Sequence, residues 1–194
     1  MTTVGLLGTG DAAEEDQQVL AGGVAAYGQV LNTWGAILNS PGMFAAYLPF
    51  LRKVNGPSEL PDRIKELAAI RVGVLNHCRY TVSHRVSSAA GKGLRATDIE
   101  DVAAGRYDRF DEREKVAFEL AEAVTLAPPA TSRARSVTGL SEALLGRAKE
   151  LFSDRELVEL FMTVSVWNAL SRFHRVMDFN LDMPQPPAAI EALL

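Results

Sequence analysis

Reactive side chains concentrate between Leu60 and Leu94, in the stretch LPDRIKELAAIRVGVLNHCRYTVSHRVSSAAGKGL. It holds the single cysteine, Cys78, two of the three histidines, His77 and His84, and the carboxylate of Glu66. A Cys78 thiolate would be a nucleophile, favoured by positive charge from Arg79, Arg85 or a protonated histidine. Glu66, next to apolar Leu67, Ala68 and Ala69, suits proton transfer if it is buried. His84 can serve as a base or orient a substrate, and Arg85 can clamp a carboxylate. Each also has a structural reading: Cys78 as an inert core residue, Glu66 as a solvated carboxylate, His84 as a partner of a backbone carbonyl, Arg85 as half of an interface salt bridge. A metal site on His77 and His84 fails on geometry, because seven helical residues separate them by about 10 Å along the axis, too far to share one ion. We therefore expect no metal and no cofactor.

These groups need a helix to position them. Ile64, Leu67, Ile70, Val74 and Leu75 recur at spacings of three and four, which predicts a helix with one apolar side. Continued past Cys78 as one segment, at about 100° per residue, that helix would bring His77, Cys78, Thr81, His84 and Arg85 onto one face. Such a face can line a pocket.

The order Glu66, Arg71-Val72, Asn76, Cys78-Arg79-Tyr80-Thr81, His84-Arg85, Gly93-Leu94 and Asp98-Ile99-Glu100 resembles the alkylhydroperoxidase D and carboxymuconolactone decarboxylase superfamily. Similarity continues upstream through Asn39-Ser40-Pro41 and downstream through Phe152-Ser153-Asp154, Val166-Trp167-Asn168 and Arg172-Phe173-His174, so it spans residues 30–182. By that resemblance, peroxidase members use Cys-x-x-Cys with a histidine four residues on and a glutamate twelve residues before the first cysteine. Here Cys78 matches the first cysteine and Glu66 the glutamate, whereas Thr81 replaces the second cysteine, Arg85 the histidine, and His84 stands one residue earlier. The missing sulfur is the peroxide-attacking one in the family's logic. A threonine hydroxyl forms neither a sulfenic acid nor a disulfide, so dithiol peroxidase chemistry is not expected.

The rest of the chain reads as scaffold. Its 194 residues suit one domain, and 47% hydrophobic residues supply a core. A formal charge of −4 argues against nucleic-acid or anionic membrane surfaces, no apolar run reaches a membrane span, and the start lacks a signal-peptide pattern. The default location is cytoplasmic. Val4 to Gly10 imitates a dinucleotide-binding glycine turn, but no second β-branched run follows, so a flexible tail is expected instead. Helical patterns are expected over 11–39, with a weak point at Gly22-Gly23, and then around 44–51. Thr97-Asp98-Ile99-Glu100 has the spacing of a capping box opening a short helix to Gly105. Further helices are expected over 111–126, 140–151 and from Ser153 to Met177, with a linker at 127–132. Four matches at an offset of 92, among them Asn76 with Asn168, suggest two related halves.

No sustained two-residue alternation occurs, so the fold class is all-α; the resemblance implies an alkylhydroperoxidase D-like helical domain. The division is 1–29, a tail and first helix; 30–182, the helical domain; and 183–194, a tail too rich in proline for helix. Leu157 to Leu170 is apolar around most of its circumference, which favours subunit contact; the resemblance points to a homo-oligomer, trimer or hexamer. It also implies a cofactor-independent enzyme acting on a small organic acid, lactone or carbonyl compound, with Arg85 holding a carboxylate while Glu66 or His84 moves a proton. Tyr80, Thr81 and Trp167 are the other substrate-binding candidates; Tyr80, Trp167, Phe173 and His174 read either as pocket walls or as plain core. Two alternatives stay open: a one-cysteine thiol peroxidase using Cys78 and an external thiol, or a non-catalytic oligomeric binding protein.

Overall fold

A helix that is apolar on nearly every side must be covered on nearly every side, and the segment after Pro61 is built that way. The computed structural model describes residues 2–126 and 139–194, and there this segment, α4 (Asp62–Leu75), lies at the centre with ten of its fourteen residues buried. Around it pack α5 (Arg79–Gly91), α6 (Ala96–Ala103), α7 (Glu112–Leu126) and α9 (Asp154–Met177). Their shared core includes Leu67, Ile70, Val72, Val82, Phe118, Leu120 and Leu160, all fully buried. The remaining helices are α1 (Glu14–Tyr27), α2 (Asn32–Ile37), α3 (Met43–Asn55), α8 (Glu142–Leu151) and α10 (Ala188–Glu191). No strand occurs among the described residues, so the fold is all-α. None of the described helices is long and apolar enough to cross a membrane.

The expected single helix through Cys78 is wrong. α4 stops at Asn76, whose side-chain amide turns back to the Val72 carbonyl at 2.9 Å. His77 takes a left-handed conformation (φ 49°), and Cys78 is extended and caps α5. The chain reverses here, so Glu66 meets Ser88 at one end of the α4–α5 hairpin and Gly73 meets Thr81 and Val82 at the other. Glycine suits the tight end. A Cβ on Gly73 would lie 3.0 Å from Val82 Cγ2 and 3.1 Å from Thr81 Cγ2.

Other expectations also shift. The segment expected to be a flexible tail docks on α2 and the end of α9 through Leu7 N–H to Gly35 O and Thr3 N–H to Met177 O. Gly22-Gly23 does not interrupt α1: Gly23 lets Trp34 lie where a side chain would clash, its Cβ position being 2.9 Å from the indole. A second apolar cluster, with Leu20, Trp34, Phe44 and Leu48, joins α1, α2 and α3. Thr97 does not cap α6; Arg95 stands at the cap and the first-turn Asp98 binds Arg63, Arg95 and Arg109 instead. The proline-rich end does contain a helix, because Pro187 sits before its first turn, where a missing N–H costs nothing. That end packs on its own chain, with Ile190 fully buried in the main core. The linker expected at 127–132 lies outside the described residues.

α9 begins with a reciprocal capping box between Ser153 and Glu156. Two of the residues matched at an offset of 92 touch: Asn76 donates to Asn168 at 2.8 Å, and each amide also bonds the carbonyl four residues before it. α9 leaves Val158, Met162 and Val176 exposed.

Candidate functional site

Helix α5 carries two polar clusters, and they differ in kind. In the first, Glu66 projects from α4 and is 3% exposed. Its carboxylate takes Arg85 Nη1 at 3.2 Å, Ser88 Oγ at 3.0 Å and Lys92 Nζ at 3.0 Å. Lys92 also binds Asp62 at 3.0 Å. Burial works against the Lys92 charge, but the hydrogen bonds to Asp62 and Glu66 outweigh it and raise the lysine's pKa. The Arg85 guanidinium lies 4.4 Å above the Trp167 ring, a cation–π arrangement, while its Nε is buried without a hydrogen-bond partner. Trp167 is fixed in turn by Nε1–H to Asn55 Oδ1 at 3.2 Å.

The second cluster surrounds a cavity of ≈ 380 Å³ between the start of α5 and the segment that follows α9. Its lining includes His77, Cys78, Arg79 and Tyr80 on one side and His174, Arg175 and the 178–181 segment on the other. Cys78 is 1% exposed and forms part of the inner wall. As the cap of α5 its sulfur accepts the Thr81 N–H at 3.5 Å, so it sits at the positive end of a thirteen-residue helix. Arg79 pairs with Glu191 at 2.6 Å, and Arg175 donates to the Asn76 carbonyl at 2.9 Å. The wall therefore carries two guanidinium groups as well as the thiol.

Behind that wall runs a chain of buried polar contacts. Thr81 Oγ1 lies 2.9 Å from His174 Nδ1, and His174 Nε2 lies 3.1 Å from Thr33 Oγ1. Thr33 Oγ1 donates to Tyr80 Oη at 3.1 Å, and Tyr80 donates to Asp182 Oδ2. Ser171 Oγ donates to Thr81 Oγ1 at 3.1 Å. Burial pushes the His174 imidazole down to about 3, with the nearby His84 adding to the shift and Asp182 opposing it. His174 is therefore neutral at neutral pH. Burial raises the Asp182 carboxyl, but His84, Tyr80 and the Asn32 N–H together lower it further, leaving it below the usual carboxylate range. Burial and the Asp182 contact push the Tyr80 phenol well up, so it stays protonated. His84 stacks on Tyr80 with ring centres 4.5 Å apart. Its Nε2 sits 3.5 Å from Asp182 Oδ2 and is buried, with no partner within hydrogen-bond distance among the described residues.

The seven residues singled out from sequence thus divide. Cys78 and Tyr80 line the cavity; Thr81 and His84 stand behind its wall; Glu66, Arg85 and Trp167 belong to the other cluster. His174, read from sequence as pocket wall or plain core, lines the cavity, whereas Thr33, Ser171, Arg175 and Asp182 gave no signal at all. Asp182 meets Tyr80 across 102 positions and Thr33 meets His174 across 141, distances over which spacing says nothing.

Comparison with known proteins matches residues 41–123 to the sequence model of the Carboxymuconolactone decarboxylase family. Uncharacterized protein YnjA of Escherichia coli (strain K12) is 25% identical over 158 residues, covering 78% of this chain and 80% of that one. A solved structure from Ralstonia eutropha JMP134, an uncharacterized peroxidase-related protein with an alkylhydroperoxidase AhpD core, superposes with a TM-score of 0.75 at 14% identity, covering 97% of this chain and 94% of that one. The debrominase Bmp8, solved as a cysteine-to-alanine variant in complex with 2,3,4-tribromopyrrole, superposes with a TM-score of 0.67 at 17% identity, over 100% of this chain and 96% of that one. The all-α fold is thus of the alkylhydroperoxidase D type.

Proposed function

Because this chain belongs to the alkylhydroperoxidase D and carboxymuconolactone decarboxylase superfamily, we propose that it is a one-cysteine thiol enzyme in which Cys78 attacks a small electrophile, with hydroperoxides as the first class. The observation that carries this reading is the position of Cys78, at the N-terminus of α5 and in the wall of the ≈ 380 Å³ cavity. Cys78 shares that cavity wall with Arg79 and Arg175, where an electrophile would meet both the sulfur and the guanidinium groups.

The reaction follows from there. The thiolate attacks the outer oxygen of a hydroperoxide; an S–O bond forms, the O–O bond breaks, and the alkoxide takes a proton to leave as an alcohol. With one cysteine in the chain no internal disulfide can follow. One external thiol displaces water from the sulfenic acid to give a mixed disulfide, and a second releases Cys78 as the thiol. The neighbours fit this range of chemistry: one is described as peroxidase-related, and the debrominase was captured with a bromopyrrole in a cysteine-to-alanine form. Self-association fits the exposed Val158, Met162 and Val176 on α9.

Decarboxylase-like chemistry on a small acid or lactone needs Glu66 and Arg85 available to substrate, and here each is bound to the other outside the cavity lining. The test is turnover of hydrogen peroxide and of an organic hydroperoxide with dithiothreitol present. The expected result is consumption that disappears in Cys78→Ala. Equal consumption by the variant would return the assignment to an acid or lactone enzyme, with Glu66, His84 and Arg85 the next residues to replace.

A further inference from the structure

An external thiol can regenerate Cys78 only if it reaches the sulfur, and the surroundings restrict which thiols can. Cys78 is 1% exposed and stands on the inner wall of the ≈ 380 Å³ cavity. That volume is in the range of small-molecule sites. A cysteine fixed on the surface of a folded protein does not enter such a space, whereas a free thiol of a few heavy atoms does.

The wall also offers donors for an anion. Arg175 projects from the last turn of α9, and its Nη1 donates to the Asn76 carbonyl at 2.9 Å, in the turn that leads into Cys78. This bond sets the guanidinium beside the turn that carries the thiol. A guanidinium holds five N–H groups in a planar fork, so most of its donors remain for a second acceptor. Arg175 is exposed and lines the cavity, and among the described residues no carboxylate pairs with it. Arg79, the other guanidinium in the lining, is already answered by Glu191 at 2.6 Å. Asp178 adds one carboxylate to the lining, and His174 is neutral because burial lowers its pKa to about 3. A preference for anions here comes from the aimed donors of Arg175 and not from net charge.

We propose that the external thiol that regenerates Cys78 is a small carboxylate-bearing thiol whose carboxylate is held by Arg175. The inference rests on the reading of Cys78 as the attacking thiol. The sulfur of one such molecule bonds to Cys78 Sγ as the S–O bond of the sulfenic acid breaks and water leaves. The sulfur of a second molecule bonds to that of the first, the bond to Cys78 breaks, and Cys78 takes up the proton the second thiol gave up. Two small thiols are oxidised to one disulfide and the sulfenic acid is reduced to the thiol. The carboxylate takes no part in these bond changes, so Arg175 is a binding residue.

The test loads Cys78 of the native protein with dithiodipyridine, a small neutral disulfide, and follows release of the thiopyridyl group by mercaptopropionate and by mercaptoethanol, each rate divided by its thiolate concentration. Mercaptopropionate should be roughly tenfold faster in the wild type, and the ratio should fall to about one in Arg175→Gln. Reduced thioredoxin, a folded dithiol protein, should be slower than either. A wild-type ratio near one, a ratio unchanged in Arg175→Gln, or release by thioredoxin as fast as by mercaptopropionate would overturn the proposal, as would a native Cys78 that takes no label. If Arg175→Gln fails to fold, competition in the wild type decides: excess propionate should slow mercaptopropionate more than mercaptoethanol, and equal slowing overturns it. Release requires no peroxide. A wild type that shows the preference yet consumes no hydroperoxide refutes the peroxidase reading and upholds the carboxylate site at Arg175.

Discussion

Two clusters on the same helix invite different uses of charge. Glu66, Arg85 and Lys92 bring one carboxylate and two cations together, each charge answered within 3.2 Å. Thr81, His174, Thr33 and Tyr80 are neutral groups linked end to end, with Cys78 beside Thr81 and the Asp182 carboxylate beside Tyr80. The first arrangement lowers its energy by staying as it is, and it ties α4 to α5. Ionisable residues are thus poor markers of a site when they neutralise each other.

The contrast breaks most visibly at Glu66. Glu66→Gln leaves Arg85 buried without its counter-ion and should cost about 3–5 kcal/mol by urea unfolding, while replacing Glu66 and Arg85 together with apolar residues of similar volume should cost much less. A smaller effect comes from acid. His174 has a folded-state pKa near 3 against 6.5 when unfolded, so the unfolded chain binds its proton first. Stability from this group is complete above about pH 6.5 and declines towards pH 3, with a loss of order 3 kcal/mol by pH 4. In His174→Gln that part of the pH dependence of the unfolding midpoint should vanish. Cys78→Ser keeps a capping oxygen at the start of α5, so stability should stay within about 1 kcal/mol of wild type, with hydroperoxide turnover lost. Smallest is Arg79→Ala. Its pair with Glu191 is partly solvent-exposed, so the stability change should be below about 1 kcal/mol. The rate of Cys78 with anionic iodoacetate should nevertheless drop more than with neutral iodoacetamide, because a cation has left the cavity wall.

Much of the architecture was legible because local rules and burial agreed. The three- and four-residue spacing of Ile64, Leu67, Ile70 and Val74 marked α4, and Ser153 marked the start of α9. The turn at Asn76–Cys78 was not legible, since His77 holds a left-handed conformation without the glycine that usually signals one. Thr97 does not cap α6, and Asp98 is drawn to three arginines, all of them outside the motif. At the site, sequence grouped His77, Cys78, Thr81, His84 and Arg85 on one helical face; the turn sets His77 apart, and Arg85 is drawn to Glu66 on α4. Asp182 was hidden in a segment defined by its prolines, and only tertiary structure brings its carboxylate to Tyr80 and His84.

The claim on which the account depends is that Cys78 is reactive in the folded protein. The direct measurement is the mass of the Cys78 peptide after brief exposure of the native protein to one equivalent of organic hydroperoxide with dimedone present. The account predicts a single dimedone adduct on Cys78, formed faster in the native protein than in the same protein unfolded in urea. An unmodified Cys78 in the native protein, alongside an adduct in the unfolded one, would contradict it.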